Sequence, residues 1–469
     1  MNSENTPLDQ WDDYRLLSLE EDGFRQRRVE IWSRLLHVSE GQPMDPTASD
    51  LPSHPDERQI RLDTERSFVL YPVDTKADKD ELQNELHELL VQLFRKRPGL
   101  SYFQGYHDII TVLLLTLPSE LQLSCAEQLS LQRVRDSMGS TLEPVLGLLR
   151  VTRNLIRLVD PEYAALLEQT APLPYYALSN LLTMFAHDMP TLPLIQHTFD
   201  YLLCRPPIMV VYLATAVILS RKADVQRLEE EGEEGMLHSL MSALPTLVDH
   251  DTDIVEEFLS LNDNSEKLPE INEDEIPSMD QSENMNEPLG QLAAPSIDES
   301  PAPIVVGESS SEPIEDECDP PLPTRPKPKP QVLTALLAAS DQLYNRYPPT
   351  HPSIRLSSIM GPQSVVFTWS ARAKDMPSSD EAERMVQRLD LIVYPEPLPV
   401  PEQKNTPRRP HKRMSNNTGL IVGATLVLGV AIAVSVYGNR HNGDPVRELR
   451  KTGQWLGGLL TGVAERIAR

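Results

Sequence analysis

Apolar residues recur at helical spacing through most of the first 262 residues. An Asp160-Pro161 pair is typical of a helix start, because Asp caps free backbone N–H groups and Pro fits the first turn. No convincing run of alternating apolar and polar residues indicates a sheet. The pattern predicts an all-α domain over residues 23–262, after a polar N-terminal extension of residues 1–22. One predicted helical face carries Leu82, Leu86, Leu89, Leu90, Leu93 and Phe94.

Further local patterns predict single elements. Residues 208–219 are almost wholly apolar but too short to cross a bilayer, which needs about 20 residues, so a buried core helix is expected. Ser124 and Glu127 have the spacing of a capping box. Residues 332–400 are interpreted as a short, partly ordered region that packs on the main domain or on a partner. Within it, residues 332–347 and 380–389 resemble helices and residues 364–369 a strand.

Residues 419–438 carry no charge over a length that matches a hydrocarbon core of about 30 Å. A transmembrane helix is therefore favoured over a core helix. The preceding segment, residues 401–418, is basic, so the positive-inside rule places the N-terminal domain in the cytosol. The expected topology is single-pass and tail-anchored. The short lumenal tail, residues 439–469, is either an interfacial amphipathic helix or a soluble tail.

Charge changes the interpretation of the middle of the chain. The net charge of −27 argues against nucleic-acid binding, which needs a basic face. Residues 261–320 contain seventeen acidic residues and one base. Residues 263–331 are therefore predicted to be a disordered, acidic and Pro-rich linker that cannot bury enough apolar surface to fold. Residues 320–326 (PPLPTRP) favour polyproline II; a stiff spacer is preferred, and an SH3-type partner is the alternative.

Several kinds of site lack support. The three cysteines are scattered without a CxxC pair, which argues against a zinc knuckle and a disulfide framework. Neither a GxSxG elbow nor a GxxxxGK[ST] phosphate loop is present. The pairs His107-Asp108 and His187-Asp188 lack metal-ligand spacing, so these histidines are interpreted as surface or hydrogen-bonded core groups.

Two short segments remain as candidates for chemistry. Residues 60–66 read IRLDTER, and residues 101–105 read SYFQG ahead of an apolar run. Gly105 lets the backbone turn closely, so Gln104 can be presented to a ligand at a helix start. Taken singly, Arg66 could cover a helix face and Gln104 could cap the helix.

Together the two segments resemble a known family. The order IxxDxxR followed by YxQG is similar to motifs A and B of the TBC domain of Rab GTPase-activating proteins, and residues 23–36 resemble its opening helix. The third family motif is matched only in part, at residues 178–187 and 198–200. The family often has Met-Asn after Gln-Gly, whereas this chain has Tyr106-His107.

The resemblance implies roles for five residues. Arg66 would be an arginine finger and Gln104 a glutamine finger, both inserted into a partner GTPase. Asp63, Tyr102 and Gly105 would support them, with Asp63 orienting Arg66 or capping the backbone and Tyr102 packing. The chain would bind no cofactor itself, because the Rab in its GTP form carries GTP and Mg²⁺. It would be a catalytic activator acting in trans rather than an enzyme with its own substrate pocket.

The sequence QGYHD together with a C-terminal span resembles one branch of the family, whose members are anchored in the endoplasmic reticulum. They act on the Rab that governs transport from there to the Golgi. The expected location is therefore the endoplasmic reticulum membrane, and a fragment of residues 1–262 is expected to carry the activity. Two alternatives stay open: a non-catalytic, membrane-anchored Rab-binding scaffold, and a tether organised by the linker.

Overall fold

The computed structural model describes residues 8–38, 51–68, 76–248 and 330–396. The first three of these ranges are almost entirely helical. Their helices are α1 (Leu8–Leu17), α2 (Arg28–Leu35), α3 (Glu57–Thr64), α4 (Lys76–Lys96), α5 (Tyr106–Thr116), α6 (Ser119–Leu129), α7 (Glu143–Val159), α8 (Pro161–Thr170), α9 (Leu178–Thr183), α10 (Leu192–Leu203), α11 (Met209–Ser220), α12 (Lys222–Glu230) and α13 (Leu237–Ser242).

The last range begins with a strand and continues with short helices. Strand β2 (Gln331–Val332) pairs in parallel with β1 (Leu247–Val248), a two-residue exception to the expected all-α architecture. The helices that follow are α14 (Leu333–Arg346), α15 (Leu356–Ile359), α16 (Val365–Thr368), α17 (Ser379–Val386) and α18 (Leu389–Ile392).

The predicted core helices are confirmed. In α4 the predicted face is buried from Leu86 onward, with Leu86, Leu90, Leu93 and Phe94 fully enclosed, while Leu82 is partly buried. Helix α11 is buried on all sides, which explains why its sequence lacks a polar face. It packs against α7 and α14. Asp160 caps α8 as predicted, its carboxylate accepting from the Tyr163 N–H at 3.0 Å.

Residues 330–396 share one core with the N-terminal helices. Leu333 and Leu337 of α14 are fully buried in the same apolar cluster as α11. Asp341 of α14 accepts hydrogen bonds from the Tyr201 hydroxyl (2.8 Å) and from two nitrogens of Arg205 (2.8 and 2.6 Å). A fragment that ends at residue 262 would leave these groups without their partners.

The N-terminal extension also contributes to this core from residue 8 onward. In α1, Trp11 and Tyr14 are buried. The Trp11 ring meets the Trp369 ring edge-on, with centroids 5.8 Å apart. Arg205 donates to the Arg15 carbonyl at 3.1 Å. Residues 1–22 are polar overall, but two of their aromatic side chains, Trp11 and Tyr14, pack into the core.

Two local predictions are wrong. Residues 364–369 do not form a strand; Ser364 caps the one-turn helix α16 and donates to the buried Asp136 carboxylate, which also accepts from the Val365 N–H. This long-range carboxylate fixes the turn. Ser124 does not start a helix, because α6 begins five residues earlier, directly after Pro118.

Several predicted segments lie outside the described residues. They are the linker 263–331 up to residue 329, the basic segment 401–418, the span 419–438 and the tail 439–469. Among the described residues, no helix is long and apolar enough to cross a membrane.

Candidate functional site

Arg66 sits in the turn that ends α3. Its backbone N–H donates to the Asp63 carbonyl at 3.1 Å, which turns the chain immediately after the helix. Its side chain is 64% exposed. The guanidinium is nevertheless held: Nε donates to the Leu62 carbonyl at 3.1 Å and Nη2 to the Asp63 carboxylate. The result is a positive group that faces solvent in a restrained pose.

Asp63 is the group that joins the two motifs. It is fully buried, so an unpaired charge would be costly there. Oδ1 accepts from Gln59 Nε2 at 3.0 Å as well as from Arg66, and Oδ2 accepts from the Tyr102 hydroxyl at 2.8 Å. The structure thus places Asp63 where the resemblance expects a partner for Arg66, and it adds Tyr102 as a second partner.

The loop that carries Gln104 is anchored at its base. The Tyr102 N–H donates to Asp56 Oδ2 at 2.8 Å, just before α3 begins, and the Ser101 N–H donates to the Met138 carbonyl at 2.7 Å. The Tyr102 ring also packs edge-on against Phe94, with centroids 5.7 Å apart. Tyr102 therefore both packs, as expected, and hydrogen-bonds. The Gln104 side chain is exposed at the tip.

Gly105 is required by the backbone. Its φ is +96°, a conformation that other L-residues rarely adopt. A Cβ at this position would lie 3.0 Å from Thr183 Cγ2 of α9. Helix α5 starts at the next residue, so this glycine sets the direction in which Gln104 leaves the domain.

A chain of polar side chains continues from Tyr102 to His187, which follows α9. The Tyr102 hydroxyl lies 3.1 Å from His107 Nδ1, and His107 Nε2 lies 3.2 Å from Asp108 Oδ1. Asp108 Oδ2 pairs with Nδ1 of His187. The interpretation of these histidines as hydrogen-bonded core groups agrees with the structure. The connection between His187 and the motif residues was missed, and the repeated His-Asp pairs were its only sequence signal.

The electrostatics of this row of polar side chains determine where the protons of Tyr102 and His187 lie. Burial raises the pKa of the Tyr102 hydroxyl, and the charges of Asp63 and Asp108 raise it further, so the hydroxyl keeps its proton and donates to Asp63. Burial lowers the pKa of His187, but the hydrogen bond and charge of Asp108 outweigh that effect. The pKa of His187 is therefore raised above 6.5. The described residues contain no group of three or more His, Cys, Asp or Glu side chains placed to hold a metal ion.

The partial third motif contributes a structural anchor. Asp200 of α10 is fully buried. It accepts from the Phe24 N–H (2.8 Å), Arg28 Nε (2.9 Å) and Trp32 Nε1 (2.7 Å). Residues 198–200 thereby hold the opening helix, while residues 178–187 supply Thr183 and His187 to the site.

The comparison with protein families fits this arrangement. Residues 25–226 match the model described as the Rab-GTPase-TBC domain. This part of the chain is a TBC domain. Its described residues include Arg66, Asp63, the Gln104 loop and α9, whereas residues 330–396 lie beyond the match.

Curated relatives of the TBC domain cover only part of this chain. TBC1 domain family member 20 of Mus musculus is 30% identical over 227 residues, which is 48% of this chain and 56% of that protein. The GTPase-activating protein gyp10 of Schizosaccharomyces pombe is 32% identical over 224 residues, 47% of this chain and 60% of that protein. The solved Ypt/Rab-GAP domain of Gyp1p aligns over 53% of this chain and 90% of that one, at 15% identity with a TM-score of 0.41.

Proposed function

We propose that this chain is a GTPase-activating protein for a Rab-family GTPase. The observation that carries the proposal is the shared carboxylate of Asp63. It holds the exposed guanidinium of Arg66 on one side and the hydroxyl of Tyr102, two residues before Gln104, on the other. The exposed guanidinium of Arg66 and the exposed amide of Gln104 are thus held through one buried carboxylate. They form a pair that can enter a partner's nucleotide site together.

The two side chains would act on different parts of the reaction. As phosphoryl transfer proceeds, negative charge develops on the transferring group and the leaving oxygen. The Arg66 guanidinium would neutralise that charge, an effect on the order of 10³–10⁵ in rate for such fingers. The Gln104 amide can accept from and donate to the attacking water at once. GTP and Mg²⁺ would arrive with the Rab, and this chain would hold neither.

A GTP hydrolysis assay with the full-length chain and a panel of Rabs tests the proposal. Arg66→Ala and Gln104→Ala should each remove most of the stimulation while leaving Rab binding measurable. Arg61→Ala is the matched control, because Arg61 lies on α3, its side chain is 46% exposed, and its partners among the described residues are Glu65 and Asn84. Stimulation that survives in Arg66→Ala would reject the finger assignment. Binding without stimulation of any Rab by the unaltered chain would favour the scaffold alternative.

The preferred Rab and the membrane belong to the same proposal. The QGYHD sequence beside a C-terminal apolar span supports the Rab of transport between the endoplasmic reticulum and the Golgi as substrate. It also supports residues 419–438 as an endoplasmic reticulum anchor, with the TBC domain in the cytosol. A glycosylation acceptor appended after Arg469 should then become glycosylated in cells. Glycosylation at Asn416, which precedes the span, would instead indicate the opposite topology, with the TBC domain in the lumen.

A further inference from the structure

The turn at Gly99 is held from outside the TBC-matched region. Its N–H donates to Glu383 Oε1 at 2.7 Å, and its carbonyl accepts from Gln387 Nε2, also at 2.7 Å. Glu383 lies on α17 and Gln387 directly follows it. Both hydrogen-bonding groups of one backbone residue are thus satisfied by one element, more than 280 residues further along the chain.

Gly99 admits this contact because it has no side chain. A Cβ there would lie 2.9 Å from both Cγ and Oε1 of Glu383. The neighbouring Arg97, only 12% exposed, binds the same helix through Asp380 (2.6 Å) and Glu383 (3.1 Å), and it also pairs with Glu127 of α6. Helix α17 therefore binds the residues on both sides of Pro98, Arg97 and Gly99.

Helix α17 is itself firmly seated, so it can serve as a fixed support. Ala382 and Val386 are buried in the common core. Just before α17 and at its first residue, the chain receives two more hydrogen bonds, from Gln132 Nε2 to the Pro377 carbonyl and from Gln128 Nε2 to the Ser379 hydroxyl, each 3.2 Å. Helix α17 thereby connects the Gly99 turn to α6.

The geometry of the turn bears directly on Gln104, which lies five residues further on. The residues between them form no helix or strand, and two of them, Ser101 and Tyr102, donate to the Met138 carbonyl and to Asp56. A rotation at Gly99 would shift these two anchored residues and, with them, the loop tip. A misplacement of about 1 Å in a catalytic group can cost about 10²-fold in rate.

We propose that α17 is a positioning element for the Gln104 loop, acting through the positioning residues Glu383 and Gln387. This inference rests on the proposed GTPase-activating function for its kinetic consequence. It extends the functional unit to a segment that follows the acidic linker and lies outside the family match.

The test measures Rab GTP hydrolysis by the full-length protein carrying Glu383→Ala. We expect kcat to fall about tenfold, with little change in KM for the Rab. Glu383→Gln keeps an oxygen acceptor for the Gly99 N–H and should restore most of the rate. Glu381→Ala is the matched control, since Glu381 is exposed on the same helix.

A double variant separates positioning from general stability. If α17 acts through Gln104, adding Glu383→Ala to Gln104→Ala should lower the residual rate little further. An undiminished tenfold loss in that background would overturn the proposal, because the helix would then act elsewhere.

Amide hydrogen exchange supplies a readout that needs no Rab. Glu383→Ala should speed exchange in peptides covering residues 98–105, and Glu381→Ala should not. If no Rab responds to the unaltered chain, the proposed function fails while the exchange result still tests the support. Unchanged exchange in Glu383→Ala would refute the support itself, and faster exchange with an unchanged kcat would refute its link to Gln104.

Discussion

At the scale of single residues, Asp63 is the group on which both motifs depend. Its carboxylate is fully buried and shared by Arg66, Gln59 and Tyr102. Leaving a buried acceptor or donor unpaired costs about 1–3 kcal/mol, so each partner is held by the need to satisfy the others. This reciprocal arrangement explains how a largely exposed arginine keeps one orientation.

His187 lies at the far end of this polar chain, and its ionisation makes a testable contribution. Because its folded pKa is raised, its stabilising effect is fully present below the unfolded pKa of about 6.5 and is lost as pH rises through the folded value. His187→Gln should therefore lower the free energy of unfolding by about 1 kcal/mol near pH 6, and the difference should shrink at higher pH.

Urea denaturation of both proteins across this pH range measures that difference. His351→Gln is the control, since His351 lies in the connection after α14 and outside the polar chain. A difference between the unaltered protein and His187→Gln that stays constant with pH would mean that the Asp108–His187 pair does not depend on the charge of the histidine.

At the scale of elements, the start of α5 depends on Gly105. Gly105→Ala places a side chain at φ +96° and 3.0 Å from Thr183 Cγ2. Strain of this kind costs about 1–3 kcal/mol, and we expect a matching loss of stability together with a displaced Gln104 loop. Thermal unfolding and the GTPase assay report the two effects separately.

A second substitution divides that cost between strain and contact. Thr183→Ser removes Cγ2 but keeps the hydroxyl that donates to the Ser179 carbonyl and accepts from the His187 N–H. Combined with Gly105→Ala, it should recover a minor part of the stability, because the backbone strain remains. Full recovery would show that the contact, rather than the positive φ, dominates.

Another element-scale link joins the opening helix to α10. Burial raises the pKa of Asp200 to about 6, against the opposing effects of Arg28 and the Phe24 and Trp32 donors. Three donor atoms converge on this one carboxylate, two of them from α2, and they fix the angle at which the N-terminal segment enters the core. This explains why an Asp within the weak third motif matters for the fold rather than for the chemistry.

At the scale of the whole molecule, the core is built from two separated parts of the chain. The first part ends at β1 and the second begins at β2, and the two strands pair through Leu247 with Gln331 and Val248 with Val332. We expect the fragment 1–262 to fail to fold cooperatively, since Leu333 and Leu337 alone each contribute about 1.5–3 kcal/mol by burial, a large part of a typical total of 5–15 kcal/mol.

A matched variant keeps both parts and replaces residues 256–327 by a flexible Gly/Ser segment. Because β1 and β2 are adjacent, a connection of a dozen or more residues is long enough, and this variant should unfold at nearly the same temperature as the unaltered protein. Differential scanning calorimetry compares the three chains. A cooperative transition of the fragment 1–262 near that of the full chain would contradict the shared core.

The sequence by itself determined the helical architecture and the two motifs. Apolar periodicity locates α4 and α11, and the Asp160-Pro161 pair marks the start of α8, because these signals depend on neighbours a few residues away. The spelling of residues 60–66 and 101–105 identified Arg66 and Gln104 as candidates for the same local reason. Their roles as fingers stay predictions.

Only the tertiary structure decided which distant groups complete the site. Three contacts join residues far apart in sequence: the hydrogen bond between Asp63 and Tyr102, the pairing of Asp108 with His187, and the hydrogen bonds of α17 to Gly99. The one-turn helix at residues 365–368 likewise depends on the distant Asp136, where local propensity favoured a strand. Hydrogen bonds across a folded core have no periodicity in the sequence, so the motifs could be located from it but their supports could not.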